Sequence, residues 1–242
     1  MNKRVHFNCD VAEGVGNEAQ LMPHLSACNI ACGAHAGNDT LIANTIKLAL
    51  QYQVEIGAHP GFPDRENFGR KKMTISWGAL RESIEDQIVK VRAIASQLGT
   101  TVYHIKPHGA LYNLAAKDED YAKLLIAVIQ SIDDQLILFT PYNSVIAQMA
   151  EGKLKTMIEG FADRNYTDTY ALVSRDIDNA VITVPEDVYA HVKMMLSSQL
   201  KTHSGNTIPF TADTLCVHGD TPNSEAILKY IATRLEQEKY EM

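Results

Sequence analysis

Asp10, His35, His59, Lys106, His108, Asp163, His218 and Asp220 are the side chains of this sequence best suited to chemistry. Each lies in or just after a short apolar segment, and Glu13 and Arg164 follow closely. Nine histidines are unexceptional for 242 residues. Five of them, His35, His59, His104, His108 and His218, fall in phase on candidate strands, and buried polar groups in such numbers need partners or a use. Three chemistries fit. Asp10, His35 and His59 offer a carboxylate and two imidazoles, which suit Zn, Fe or Mn and an activated water. Without a metal, Asp10 is a general base with a histidine as acid partner, and Lys106 stabilises an oxyanion or holds a carboxylate or phosphate. In the third, Lys106 is a Schiff-base nucleophile, with His104 and His108 moving protons. The spacings form no local motif, so these residues alone leave the choice open.

Something must bring these positions together. Seven candidate strands run over residues 5–10, 28–35, 55–60, 101–108, 136–140, 155–163 and 214–220. Between them lie amphipathic stretches at helical spacing. One runs through Leu41, Ile42, Thr45, Ile46, Leu48, Ala49 and Tyr52. A second runs from Leu80 to Leu98 with Ser76 as N-cap, and a third from Tyr121 to Ile132. Residues 144–151 form a short helix candidate, Pro185 opens a helix to about 200, and Pro222 opens another to about 238. Strands alternating with helices imply parallel pairing through right-handed crossovers.

The parity of the strand residues separates an open sheet from a barrel. Asn8 and Asp10 share one face of the first strand; His104, Lys106 and His108 share one face of the fourth; Glu159 and Asp163 are in phase on the sixth. A central strand covered by helices on both faces reads as continuously apolar. These strands carry one apolar face and one that turns polar toward its C-terminal end. That pattern predicts a barrel with the polar face in the lumen and the site at the C-terminal mouth. The expectation is a single (β/α)-barrel domain over residues 1–242, with seven strands, distorted or open on one side.

Composition narrows the partners. The chain is 45% hydrophobic and 21% charged, with a formal net charge of −7. That balance argues against a nucleic-acid-binding surface. No apolar run approaches the ~18 residues of a membrane helix. The opening segment, MNKRVHFNCD, lacks the apolar core of a secretory signal, so a cytoplasmic protein is expected. Cys9, Cys28, Cys32 and Cys216 form no CxxC pair and read as small buried residues. Glycines flank His35, His59 and His108, where backbone amides can approach a ligand. GxxxxGK[ST], GxGxxG and GxSxG motifs are all absent. Residues 61–72, GFPDRENFGRKK, make a long charged loop suited to a lid. The stretch 165–210, which holds Arg175, departs furthest from simple alternation.

A set of local motifs spans the chain: Asn8-Cys9-Asp10 with Glu13-Gly14; residues 28–37, CNIACGAHAG; residues 56–61, IGAHPG; Asp64 with Phe68-Gly69-Arg70; residues 106–113, KPHGALYN; Phe161-Ala162-Asp163-Arg164 with Tyr166; Ser174-Arg175; and residues 216–222, CVHGDTP. In these the sequence resembles the LamB/YcsF family. It departs in two places: the glycine of a DGxL-type turn is missing from Asp168-Thr169-Tyr170-Ala171-Leu172, and Ala34 stands where an aromatic is common.

The resemblance implies an α/β fold, a distorted (β/α)7 TIM-like barrel of the glycoside hydrolase/deacetylase type. It implies ATP-driven ring opening of 5-oxo-L-proline (pyroglutamate) to L-glutamate, the 5-oxoprolinase reaction, alongside 5-oxoprolinase subunits B and C. ATP would be a co-substrate bound by or shared with those partners, which fits the missing phosphate loop. Whether a divalent metal takes part, and whether the chain forms a homo-oligomer, stay open. On this reading Asp10 orients or deprotonates water, and His35, His59 and His108 shuttle protons. Lys106 and Arg164 hold a carboxylate or phosphate, and Glu13, Asp163, Arg175, His218 and Asp220 complete the binding site. The competing class is a metal-dependent amide hydrolase or deacetylase acting on a sugar or small amide; a third is a non-catalytic binding subunit.

Overall fold

A computed structural model describes residues 3–241. Among them, seven parallel strands close into a barrel. The strands are β1 (Phe7–Val11), β2 (Ala27–Ala31), β3 (Glu55–His59), β4 (His104–Ile105), β5 (Ile137–Pro141), β6 (Thr156–Phe161) and β7 (Thr214–Cys216). They pair in the order β7-β1-β2-β3-β4-β5-β6, with β6 returning to β7. The predicted barrel and its strand count are both present.

The helices are α1 (Glu18–Leu21), α2 (Asp39–Tyr52), α3 (Trp77–Gln97), α4 (Gly109–Ala115), α5 (Glu119–Ile132), α6 (Val145–Ala150), α7 (Pro185–Leu196) and α8 (Ser224–Gln237). Their starts follow local chemistry. The Asn38 side chain accepts the Leu41 amide at the head of α2, and the Ser76 side chain accepts the Ala79 amide at the head of α3, relieving unpaired N–H groups of the first turn. Leu80, Ile84, Ile88, Val91 and Ala95 form the buried stripe of α3. They meet the outward residues of the strands, among them Phe7, Cys9, Ile56 and Ala58, in one continuous core. No helix among the described residues is long and apolar enough to cross a membrane.

Four strands are shorter than the sequence suggests, for a shared reason. Beyond Ala31 the chain turns at Gly33 (φ 95°) and closes a tight loop through Gly33 N–H to Ala36 O at 2.9 Å. β4 pairs only at two residues because Pro107 has no N–H to donate, although Lys106 and His108 still donate to Ala58 and Pro60 carbonyls at 3.0 and 2.8 Å. β7 ends at Cys216 because the His218 amide donates to the Asp163 carboxylate instead of to a strand. β6 stops at Phe161, two residues before Asp163. In each case the residues assigned to the strand end build the mouth. Two helices also differ: α7 ends at Leu196, and the following residues form a hairpin of Gln199–Lys201 with Thr207–Pro209; α8 begins at Ser224, after Asn223 in a left-handed conformation.

Candidate active site at the barrel mouth

The polar strand faces fill the lumen in two layers. At the floor, Asn8 donates to Thr214 Oγ1 at 2.8 Å and Asn29 donates to Asn8 Oδ1 at 2.7 Å. His104 Nε2 donates to Asn29 Oδ1 at 2.7 Å, and its ring stacks on Phe139 at 4.1 Å. That imidazole explains Gly57: a Cβ there would lie 2.0 Å from His104 Nε2. His104 is therefore a floor residue, below the reach of a ligand at the mouth. Burial and the neighbouring His6 push its pKa down to about 3, so it is neutral.

Above the floor sits Lys106, wholly removed from water. Its Nζ lies 2.8 Å from Asp10 Oδ1, 2.9 Å from Glu159 Oε1 and 3.1 Å from Cys216 Sγ. Burial alone would lower the ammonium pKa, but the facing Asp10, Cys216 and Glu159 hold it well above the usual lysine value. An ammonium so held is not a Schiff-base nucleophile. It anchors Asp10, which also accepts from Asn29 at 2.8 Å. Burial would raise Asp10, but His59 and Lys106 hold it well below the ordinary carboxylate range. Glu159 takes a second bond, from Tyr112 Oη at 2.8 Å. Glu159, Tyr112, Asn8 and Asn29 were absent from the expected site. An acid in the apolar run of β6, in phase with Asp163, was the available signal for Glu159.

One wall of the mouth is a histidine cluster. His59 Nδ1 donates to the Lys106 carbonyl at 2.7 Å, and His108 Nε2 donates to the Phe68 carbonyl at 2.8 Å. His59 Nε2 and His108 Nδ1 then stand 2.9 Å apart. His35 stacks parallel on His108 at 3.8 Å and places Nε2 3.2 Å from Glu13 Oε1. Burial, followed by the Asp10 and Asp220 carboxylates, pushes Glu13 up to about 9; burial and His59 push His35 down to about 3. The loop 61–72 folds over this cluster. Phe68 packs edge-on against His35 and His108, and Gly69, at φ 61°, fits where a Cβ would meet His108 and His35 at 3.0 Å. Buried Gln87 of α3 pins the loop's start through both polar groups of the Gly61 backbone at 2.9 Å.

The opposite wall is a carboxylate–imidazole pair. Asp163 accepts from His218 Nδ1 at 2.9 Å, from the His218 amide at 2.9 Å and from Thr221 at 2.6 Å. Burial opposes ionisation of Asp163, but His218 and Thr221 keep it below the ordinary carboxylate value. The bond fixes the proton on Nδ1 and leaves Nε2 toward the pocket, which His218 lines.

A cavity of about 540 Å³ lies between the walls, with Arg70, Lys71, Arg164 and Arg175 around it. Arg70 binds Asp220 at 2.5 Å, and Arg175 lies 3.8 Å from the same carboxylate. Arg164 spends Nε on Ala180 O and Nη2 on Val173 O, fastening the 165–182 segment beside the cavity. Tyr170 in that segment takes φ 64°, the left-handed conformation that a glycine adopts freely, and stacks edge-on to Tyr142 at 4.9 Å.

The eleven expected residues thus fall into three groups around one mouth. Asp10, Lys106, Glu13, His35, His59 and His108 form one cluster, Asp163, Arg164 and His218 line the facing wall, and Arg175 and Asp220 sit at the rim. Of the proposed metal ligands Asp10, His35 and His59, Asp10 commits Oδ1 to Lys106 and Asn29. The ligand atoms that converge, all within 4.8 Å, belong to Glu13, His35, His59 and His108. A second grouping, Asp10, Cys216 and His218, already faces a cation, because Lys106 Nζ lies between the first two.

A protein of Syntrophobacter fumaroxidans, named as the A subunit of 5-oxoprolinase, is 39% identical over 240 residues, covering 96% of this chain and 95% of that one. The lactam utilization protein from Thermus thermophilus superposes with a TM-score of 0.91 at 31% identity, covering 99% of this chain and 98% of the other. A family 4 carbohydrate esterase from Streptomyces lividans shares the barrel fold at a TM-score of 0.50 and 12% identity, over 99% of this chain and 91% of that one. The profile of the LamB/YcsF family matches residues 5–242, a span that includes every motif at the mouth. The chain belongs to the LamB/YcsF family.

Proposed function

We propose that this chain is the A subunit of an ATP-dependent 5-oxoprolinase, which opens 5-oxo-L-proline to L-glutamate together with subunits B and C. One observation carries the reading: a protein of that name matches the chain over 96% of its length.

The pocket suits the chemistry. A lactam is a poor electrophile, and phosphorylation of its oxygen by ATP would activate the ring carbon. The partners bind or share the nucleotide. The activated lactam carries a carboxylate and a phosphate, and Arg70, Lys71 and Arg175 at the rim supply positive charge for both. The cavity volume lies in the range of small-molecule sites.

On the activated ring a water oxygen adds to the carbonyl carbon, the C–N bond breaks and the departing nitrogen takes a proton; the acyl phosphate so formed reacts with a second water to give the side-chain carboxylate and inorganic phosphate. His218, held in one tautomer by Asp163, takes the water proton at Nε2 and returns it to nitrogen. Asp10 stays ionised and orients the water through Oδ2, since Oδ1 is committed. Lys106 keeps Asp10 in place.

The test is glutamate release from 5-oxo-L-proline by the chain alone and with subunits B and C, each with and without ATP. Release that requires ATP and all three proteins is expected. Absence of glutamate with all three folded and ATP present would overturn the reading.

A further inference from the structure

We propose that Glu13, His59 and His108 form a binding site for one divalent first-row transition-metal ion, with His35 as the positioning residue for Glu13. The site lies in the wall of the mouth and shares no residue with the Asp163–His218 pair.

A backbone carbonyl only accepts, so the bond from His59 Nδ1 to Lys106 O puts the His59 proton on Nδ1. By the same reasoning, the bond to Phe68 O puts the His108 proton on Nε2. While neutral, each ring keeps one lone pair, on His59 Nε2 and His108 Nδ1, and positive charge placed there also holds Asp10 ionised. These two atoms face each other at 2.9 Å with no proton to share. Two buried lone pairs at that distance repel unless a cation lies between or beside them.

A metal resolves the conflict. Cis ligands at about 2.1 Å from a common ion lie about 3.0–3.4 Å apart. His59 Nε2 and His108 Nδ1, at 2.9 Å, lie just below the lower end of this range and need move apart only slightly, and their ring planes stand at 87°. Glu13 Oε1 stands 3.5 Å from His108 Nδ1 and 3.9 Å from His59 Nε2, so a small side-chain movement completes the triad. Both imidazoles already donate their other N–H to a carbonyl, the arrangement that orients ligating histidines.

His35 is excluded as a fourth ligand by its ring plane. It lies parallel to His108 at 3.8 Å, so an ion in the plane of one ring is far out of the plane of the other. Instead His35 Nε2 donates to Glu13 Oε1 at 3.2 Å, which aims the carboxylate. This assignment leaves His35 Nδ1 as a buried acceptor without a partner, in agreement with the structure. Two imidazoles and one carboxylate leave coordination positions open, and Asp10 Oδ2 lies 3.4 Å from His59 Nε2 beside them.

The inference stands apart from the oxoprolinase reading, and its test reads metal, not turnover. The full chain, purified without a chelating tag, is analysed for metal by elemental mass spectrometry, stripped, and titrated with Zn2+ by calorimetry and with Co2+ by visible absorption. About one ion per chain and d–d bands from the bound Co2+ are expected. Glu13→Gln, nearly isosteric, should weaken binding by about 100-fold or more, and His35→Ala by about 10–100-fold. His203→Ala, remote from the cluster, should bind as wild type. Folded wild-type protein with less than about a tenth of an equivalent and no Co2+ spectrum would overturn the site, and so would wild-type affinity in Glu13→Gln. In that case a shared proton is what sits between His59 and His108.

Discussion

Lys106 Nζ stands 2.8 Å from Asp10 Oδ1 and 2.9 Å from Glu159 Oε1, with all three groups buried. The ammonium balances two buried carboxylates. Removing it leaves charge without a counter-ion, which is the costly way to break a buried pair. Lys106→Met should lower the unfolding free energy by about 3–5 kcal/mol. Urea denaturation at neutral pH measures this, and a loss below about 1 kcal/mol would mean that the carboxylates find another partner.

Asp163 acts through His218. Asp163→Asn keeps the shape of the side chain but removes the charge that fixes the proton on Nδ1. Glutamate release by the three-subunit enzyme should lose about 10²–10⁴-fold in kcat, with KM changed little. A variant whose loss is confined to KM would reassign the pair to substrate binding.

His104 gives an acid-sensitive term in stability. Its folded pKa is pushed down to about 3 by burial and then by His6. The unfolded chain takes up this proton near pH 6.5. The contribution is therefore complete above about pH 6.5 and is lost as pH falls toward the folded value, by about 1.4 kcal/mol per pH unit. Denaturation midpoints between pH 7 and about 4 test the slope. His104→Gln should flatten it, and an unchanged slope in that variant would assign the acid sensitivity elsewhere.

Gly57 has no room for a methyl group. Its Cβ would overlap the His104 ring from 2.0 to 2.4 Å. Because the imidazole is held by Asn29 and stacked on Phe139, it has nowhere to move. Gly57→Ala should cost about 3 kcal/mol or more, or prevent folding. The companion His104→Ala exchange should restore folding if the overlap is the cause, as thermal melts of the double variant would reveal.

The barrel was legible because side-chain parity survives in the sequence. Asn8 with Asp10, and His104 with Lys106, alternate with apolar residues at a period of two, which only a polar lumen accommodates. The residues of the mouth were legible for the same reason. Their pairing was not. Asp10 looked like a free base because nothing near it in sequence announces Lys106, 96 residues away. Nor was the orientation of His35, because its ring plane is set by Gly69 and Phe68, on a loop whose path no periodicity encodes. Strand ends were overextended because residues such as His218 keep strand alternation while their amides leave the ladder for a side chain.

The bond from Asn8 to Thr214 joins the first barrel strand to the last across 206 residues. It lies on the β1–β7 seam, where the barrel closes. Until β7 arrives, a growing chain exposes one edge of β1 and one of β6, and the lumen stays wet. Cys216, which completes the surroundings of Lys106, comes with that final strand. Desolvation of the central charges is thus deferred until the last barrel strand docks. Contacts this distant in sequence form slowly, because loop closure precedes any compensating contact. The rate of maturation should therefore follow the docking of β7, and fragments ending before Thr214 should remain open, hydrated sheets.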